Sequence, residues 1–570
     1  LDGVEVFEVR HRSVTKANAV RWVRERIPGA RLVAVGDDIT DEEMFAALDD
    51  DDLAIAVGTQ RDRVTHARAW VSGPDAVREL LWWMLEVRGA RAPARPPPGL
   101  HPVPVRRLST DRGSGGAELV VISNRTPNVH AEGRPRQVGG LVSALEPALR
   151  SCDGVWLGWS GSVGDDPVTL KVHPHGRPPR ATFDLTPGLR DHYYSGFCSA
   201  ALWPLLHAFP SRARFSDEQW DAYVEANAVY ARFAATLARP TATVWVHDYH
   251  LLLVASRLRA LGHRGPIGLF LHVPFPPRDI FEMLPWCDQV LDALRGFDLV
   301  GFHTDDWADN FQTCARARDR RGGDRSRWPL VSVLPIGVDP SDFLVTAEDP
   351  DDEVRQLRDV LGDRKLILGV DRLDYSKGIP ERLDAFERLL DRRPEWRGAV
   401  TLVQISVPSR IEVPDYVELR QRVENMVGRI NGQYGHAGWV PVRYLYRSYA
   451  QRVLAQLYRA ADVALVTPLR DGLNLVAKEF IAAQDPADPG VLVLSRFAGA
   501  AVELTEAILT NPYHADGLAA DLDRALQMPL AERAQRHRAL AASLAALAPP
   551  RWAASFLEHL GSAATSRRDA

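Results

Sequence analysis

The sequence predicts an α/β protein whose parallel sheets are wound with helices on both sides. Three observations carry that reading. From Glu118 onward, short apolar runs alternate with helical stretches: "ELVVIS", "TVWVHD", "IGLFLHV", "DLVGFH", "LILGVD", "VTLVQIS", "VALVTP" and "VLVLS". Those runs are continuously apolar, as strands covered on both faces are. Polar residues gather directly after several of them, where open parallel sheets bind ligands. Two such sheets would fill the length, with the chain crossing between them near "VSVLPIGVDP" (331–340).

The elements follow in order. Residues 1–88 read as part of an α/β domain. "RLVAVGDD" is a strand ending in acids, "DEEMFAAL" a helix start with acids in its first turn, "LAIAVG" a strand and "DAVRELLWWMLEV" a closing helix. Residues 89–117, rich in Pro, Gly and Arg, lack apolar periodicity and read as a linker. Residues 118–335 and 336–540 then form two doubly wound domains. Residues 541–570 supply a helix expected to pack back on the first of these, then a tail.

Composition excludes several function classes. The 570 residues are 46% hydrophobic and 25% charged, with a net charge of −5, which gives no footprint for nucleic acid or an anionic membrane. No apolar run approaches the roughly 18 residues that span a bilayer. Four scattered cysteines, Cys152, Cys198, Cys287 and Cys314, have neither metal-ligand nor redox spacing, and a reduced cytoplasmic setting is expected. "HDYH" at 247–250 lacks the further ligands that a metal site needs.

Chemistry concentrates after strands. Asn124 and Arg125 follow one, and the Gly139–Gly140 pair opens a helix where backbone N–H groups could meet a phosphate. Arg372 and Lys377 share one loop, while Asp471, Gly472, Asn474 and Glu479 occupy another loop and the helix after it. Two cations near a helix N-terminus suit a diphosphate, and a carboxylate about a turn later suits sugar hydroxyls.

Together these motifs resemble the trehalose-6-phosphate synthases, retaining nucleotide-sugar glucosyltransferases of the GT-B type. The resemblance rests on "VISNR" (121–125), "VGGL" (138–141), "VWLGWSG" (155–161), "YYSGFCSAALWPLLH" (193–207) and "VWVHDYHL" (244–251). It continues through "FLHVPFP" (270–276), "RLDYSKGIPER" (372–382), "VPSR" (407–410), "GRINGQYG" (428–435), "VTPLRDGLNLVAKE" (466–479) and "VLVLSRFAGAA" (491–501). It implies transfer of glucose from UDP-glucose to glucose 6-phosphate without a cofactor or a metal in the transferase site. Arg125, Tyr194 and Arg410 would clamp the acceptor phosphate, with Trp159 at the same place and Trp203 shaping the acceptor sugar site. Asp248 would anchor acceptor hydroxyls and His272 would contact the donor glucosyl group. Arg372 and Lys377 would hold the donor diphosphate with Gly139 and Gly140 nearby. Asp471, Gly472, Leu473, Asn474 and Leu475 would line the donor sugar and phosphates, with Tyr449 on the donor side and Glu479 on the ribose. Cys198 and Ser199 replace a Ser-Asn common in the family, and Leu473 a Met. The alternatives are a glucosylglycerol-phosphate synthase acting on glycerol 3-phosphate and a non-catalytic subunit of a synthase complex. A homo-oligomer is left open.

"GDDITDEEMF" (36–45) resembles the metal-binding end of trehalose-phosphate phosphatases of the haloacid-dehalogenase type. Lys16, Asp37, Asp38 and Asp41 would be its vestiges, holding Mg²⁺ only in a complete phosphatase domain. The D-x-D nucleophile turn has no counterpart here, since Asp2 is the one aspartate before Asp37, so no phosphatase activity is expected of this chain.

Overall fold

The computed structural model describes residues 16–27, 32–36, 41–49, 52–57, 67, 69–71, 76–77, 101–102, 116–126, 145, 149, 154–165, 168–173, 178–322, 327–344, 351–410, 413–545 and 547–568. They fall into two compact units, divided between Ser114 and Gly115.

In the first unit, strands β1 (Val33–Gly36), β2 (Leu53–Val57) and β3 (Ala69–Val71) pair in parallel, and β4 (His101–Pro102) pairs antiparallel with β3. β4 lies inside the stretch read as linker. A two-residue edge strand containing a proline carries no periodicity by which to find it. Lys16 opens the helix Lys16–Arg26. Asp41, 5% exposed, folds over Gly36, where any Cβ would meet its carboxyl carbon at 2.2 Å. Asp37, Asp38 and most of the proposed closing helix lie outside the described residues.

The second unit contains two sheets. One comprises β5 (Ala117–Arg125), β6 (Gly154–Val163), β7 (Lys171–His173), β8 (Arg180–Leu185), β9 (Ala238–His247), β10 (Ile267–Phe270), β11 (Leu299–Phe302) and β12 (Leu330–Val333). Their spatial order is β12-β11-β10-β9-β5-β6-β8-β7, parallel throughout except for β7. The other comprises β13 (Lys365–Arg372), β14 (Val400–Val407), β15 (Val442–Leu445), β16 (Val463–Val466), β17 (Val491–Ser495) and β18 (Ile508–Thr510), ordered β15-β14-β13-β16-β17-β18 and wholly parallel.

Strand order reverses between β5 and β9 in one sheet and between β13 and β16 in the other. At such a switch point the flanking connections leave in opposite directions and open a crevice beyond the strand ends. The eight apolar runs read as strands after residue 118 became β5, β9, β10, β11, β13, β14, β16 and β17. β6 was quoted as a motif and not read as a strand, because its glycines break the apolar run.

The helix Pro549–Arg568 packs across β10 and β11. Gly268 and Gly301 make room for it: a Cβ at either would stand 2.8 or 3.0 Å from the Phe556 ring. Phe556 is fully buried and stacks on Trp245 at 4.5 Å, and Trp552 Nε1 donates to the Leu334 carbonyl at 3.0 Å. The chain's last helix is thus part of the first sheet's core. Phe556→Ala should cost about 3–5 kcal/mol of stability, measured by denaturant unfolding; a loss under about 1 kcal/mol would show the helix to be peripheral.

Candidate active site

The two switch points face each other across a cleft of about 630 Å³. Four strands deliver charged side chains to it. β5 ends in Arg125, β9 is followed by Asp248, β13 ends in Arg372, and the loop after β16 carries Asp471. Backbone strain collects at the same place. Among the described residues, the non-glycines at positive φ are Ala208, Asp248, Arg410 and Asn474. Three of these line the cleft and Ala208 follows the lining residue His207. Such conformations persist where surrounding contacts over-determine them.

At one end, Arg125 lies 4.7 Å over the Trp159 ring, which meets Tyr194 edge-on at 5.2 Å. Arg125 and Tyr194 line the cleft, whereas Trp159 braces them from behind, with Nε1 donating to the Ser162 carbonyl at 2.6 Å. Arg410 completes this end from the other sheet. It lies 4.2 Å over Trp203, donates from Nη2 to the Tyr249 hydroxyl at 3.1 Å, and from Nη1 to Asp374 at 3.1 Å. Cys198 is fully buried and Ser199 donates to the Tyr194 carbonyl at 2.7 Å, so these two departures from the family pattern lie behind the cleft wall, whereas the third, Leu473, lines it.

Toward the other end, Arg372 projects from β13, is exposed, lies 5.3 Å over the same Trp203 ring, and makes no ion pair among the described residues. Lys377 pairs with Asp471, which also accepts from Asn474 Nδ2 at 3.1 Å. Burial pushes the Asp471 carboxyl up, but the Lys377 ammonium outweighs it and leaves the group below its ordinary range. Asn474 caps the helix Leu475–Ala483, accepting from the Ala477 amide at 3.2 Å. This directs the N-terminus of that helix, through Leu475 and Val476, at the cleft. Gly472 packs against the His272 backbone, where a Cβ would lie 2.1 Å from the carbonyl oxygen. Only a residue without a side chain lets the two domains meet there.

Between the ends stand Asp248 and His272. Burial raises the Asp248 carboxyl to about 6, and its Oδ1 accepts from the His272 amide at 3.3 Å. His272 is the middle of a row of imidazoles, with Nε2 3.1 Å from His247 Nδ1 and Nδ1 3.2 Å from His303 Nε2.

Most of the residues singled out in the sequence come together here, and a few do not. Glu479 lies off the cleft wall in this state, half-buried, accepting from the Tyr458 hydroxyl at 3.0 Å. Tyr449 is also off it, donating to Glu353 at 2.6 Å. Gly139 and Gly140 lie outside the described residues. Sequence reading assigns no role to Asp374, Tyr416, Tyr249, His207 or His303, and brings in His247 and His250 only as metal ligands that lack partners. Asp374 and Tyr249 sit inside quoted strings, and His303 follows a strand, so the strand-end rule could have reached them.

Five imidazoles lining the cleft share one property: desolvation lowers His207 to about 4 and His250 and His272 to about 3, and holds His247 and His303 well below the usual imidazole range. The unfolded chain takes up protons near pH 6.5 that the fold refuses, so stability present above that pH is lost as pH falls toward 4. The free energy of unfolding should drop steeply from pH 6.5 to 4.5, by on the order of 1 kcal/mol per pH unit per histidine. His250→Gln should flatten the slope by about one proton. A flat profile would mean that these rings protonate in the fold.

The model of Glycosyltransferase family 20 matches residues 118–562. The trehalose-6-phosphate synthase of Klebsiella pneumoniae is 43% identical over 452 residues, covering 78% of this chain and 95% of that protein. A crystal structure of an α,α-trehalose-phosphate synthase (UDP-forming) from Burkholderia vietnamiensis superposes with a TM-score of 0.74 at 42% identity, covering 78% of this chain and 99% of its own. The Burkholderia xenovorans synthase in complex with glucose 6-phosphate gives 0.73 at 40% identity, covering 78% and 100%. An E. coli structure bound with UDP-2-fluoro glucose gives 0.73 at 41%, covering 78% and 98%. The fold, the strand-end charges and these matches agree, and the chain belongs to glycosyltransferase family 20.

Proposed function

We propose that this chain transfers glucose from UDP-glucose to glucose 6-phosphate, retaining the donor's α configuration and releasing α,α-trehalose 6-phosphate and UDP. The observation that carries the reading is the two-ended cleft. One end gathers two guanidinium groups and a phenol, the donors that a phosphorylated acceptor needs. The other offers Arg372, Lys377 and a helix N-terminus to a diphosphate. Asp248 stands between them, where it can accept from acceptor hydroxyls.

Asp471 is tied to Lys377 and Asp248 to the His272 backbone, so neither stands as a free nucleophile for double displacement. The step that suits these groups is same-face transfer. The bond from the anomeric carbon to the departing phosphate oxygen breaks as the acceptor hydroxyl attacks from the same side. That phosphate oxygen takes the hydroxyl proton. Negative charge grows on the diphosphate, and Arg372, which makes no ion pair among the described residues, is a cation able to meet it, worth on the order of several kcal/mol where the site is desolvated.

In this reading the diphosphate charge is met by side chains, and no metal is needed for transfer. Residues 1–88 are read as a phosphatase-type segment without hydrolytic activity of its own, and the protein as cytoplasmic. No helix among the described residues is long and apolar enough to cross a membrane.

Purified chain should release UDP from UDP-glucose with glucose 6-phosphate and only weakly with glycerol 3-phosphate; the reverse preference would reassign the acceptor. Arg372→Ala should lower turnover by about 10²–10³-fold with little change in unfolding midpoint, and undiminished turnover would refute the diphosphate role. EDTA should leave transfer intact.

A further inference from the structure

Arg410 is held from several directions. Its backbone sits at φ 47°, its guanidinium lies 4.2 Å over Trp203, Nη2 donates to Tyr249, and Nη1 donates to Asp374 Oδ2 and contacts the Tyr416 hydroxyl. Its Nε is buried with no partner. Asp374 is itself 0% exposed and fully occupied. Oδ1 accepts from Trp203 Nε1 at 3.3 Å and from the Ser376 amide at 3.0 Å, and Oδ2 accepts from Arg410 and, at 2.9 Å, from the Tyr416 hydroxyl. The carboxylate therefore bonds groups from both domains.

Its charge already balances that of Arg410. What Arg410 can offer an incoming phosphate is aimed N–H donors more than net attraction, which falls to Arg125. The aim of the guanidinium then decides its usefulness. We propose that Asp374 is a positioning residue that aims Arg410, and the Trp203 ring beneath it, at the acceptor phosphate. This rests on the cleft being the transferase site described above.

The chemistry of the side chain separates this role from a general structural one. Asparagine at 374 could still accept from Trp203 and Ser376 through its oxygen. Its amide N–H groups would then face Arg410 Nη1, donor against donor, and could only donate to the Tyr416 hydroxyl, which would turn the guanidinium away. A carboxylate that served only stability would, when lost, weaken donor and acceptor alike, and its loss would add to that of Arg410.

The test is a double-mutant cycle in the full chain. Asp374→Asn should raise KM for glucose 6-phosphate by about 10- to 100-fold, while Kd for UDP-glucose by calorimetry stays within about twofold. In an Arg410→Ala background the same change should cost less than about twofold. Tyr416→Phe, which keeps the ion pair, should cost about 2- to 10-fold and likewise lose its effect without Arg410, and it carries the cycle alone if Asp374→Asn does not fold. Full additivity, or equal weakening of UDP-glucose, would overturn the role. If the unaltered chain does not use glucose 6-phosphate, the functional reading fails separately. Inorganic phosphate by calorimetry then decides: binding lost in both Arg410→Ala and Asp374→Asn supports the role, and binding untouched by Asp374→Asn overturns it.

Discussion

Arg410 and Asp374 occupy space almost closed to solvent, 5% and 0% exposed at their side chains, and neither charge could be there without the other. Burial alone would drive the Asp374 carboxyl up, yet Arg410 and Arg372 bring it down to about 2. The same constraint governs the rest of the cleft. Lys377 is matched by Asp471, and Arg382, wholly buried beneath the loop, lies 2.8 Å from Asp371. A site that must take up phosphate groups needs cations, and in a desolvated cleft each cation needs a fixed carboxylate or a place at the solvent edge. Arg372 and Arg125 take the second course, as both are exposed and line the cleft.

Architecture makes this charge economy possible. Two sheets present the ends of strands flanking their switch points to each other, so every charged group sits on a short loop rooted in a buried strand. The close approach of the two domains depends on small details. Gly472 against His272, the Trp307 indole donating to the Gly472 carbonyl at 3.3 Å, and Arg470 stacked 4.7 Å over Trp307 all join the domains on the donor side. On the acceptor side, Arg212 reaches Asp415 at 3.1 Å and stacks on Tyr375 at 4.8 Å.

Much of this was legible before the structure. Apolar runs located the central strands, because a strand buried on both faces has no choice of composition. The strand-end rule then found Arg125, Arg372 and Asp471, and the family resemblance added Asp248. What escaped had physical reasons. Asp374 lies three residues before Lys377, the partner of Asp471, and nothing local shows that it faces Trp203, 171 residues away. The imidazole row is likewise assembled from three different strand ends. Tyr449 went astray because a tyrosine near a strand end can turn to a surface carboxylate, here Glu353, as readily as to a ligand.

The cleft suits same-face transfer, with cations toward each end, Asp471 tied to Lys377 and Asp248 bonded to the His272 amide. The most direct measurement is the proton NMR spectrum of the product formed from UDP-glucose and glucose 6-phosphate. The expected spectrum has two α anomeric protons, from a 1,1-linked disaccharide phosphate with the donor configuration kept. A β anomeric signal at the transferred glucose, or free glucose as the only sugar released, would contradict it.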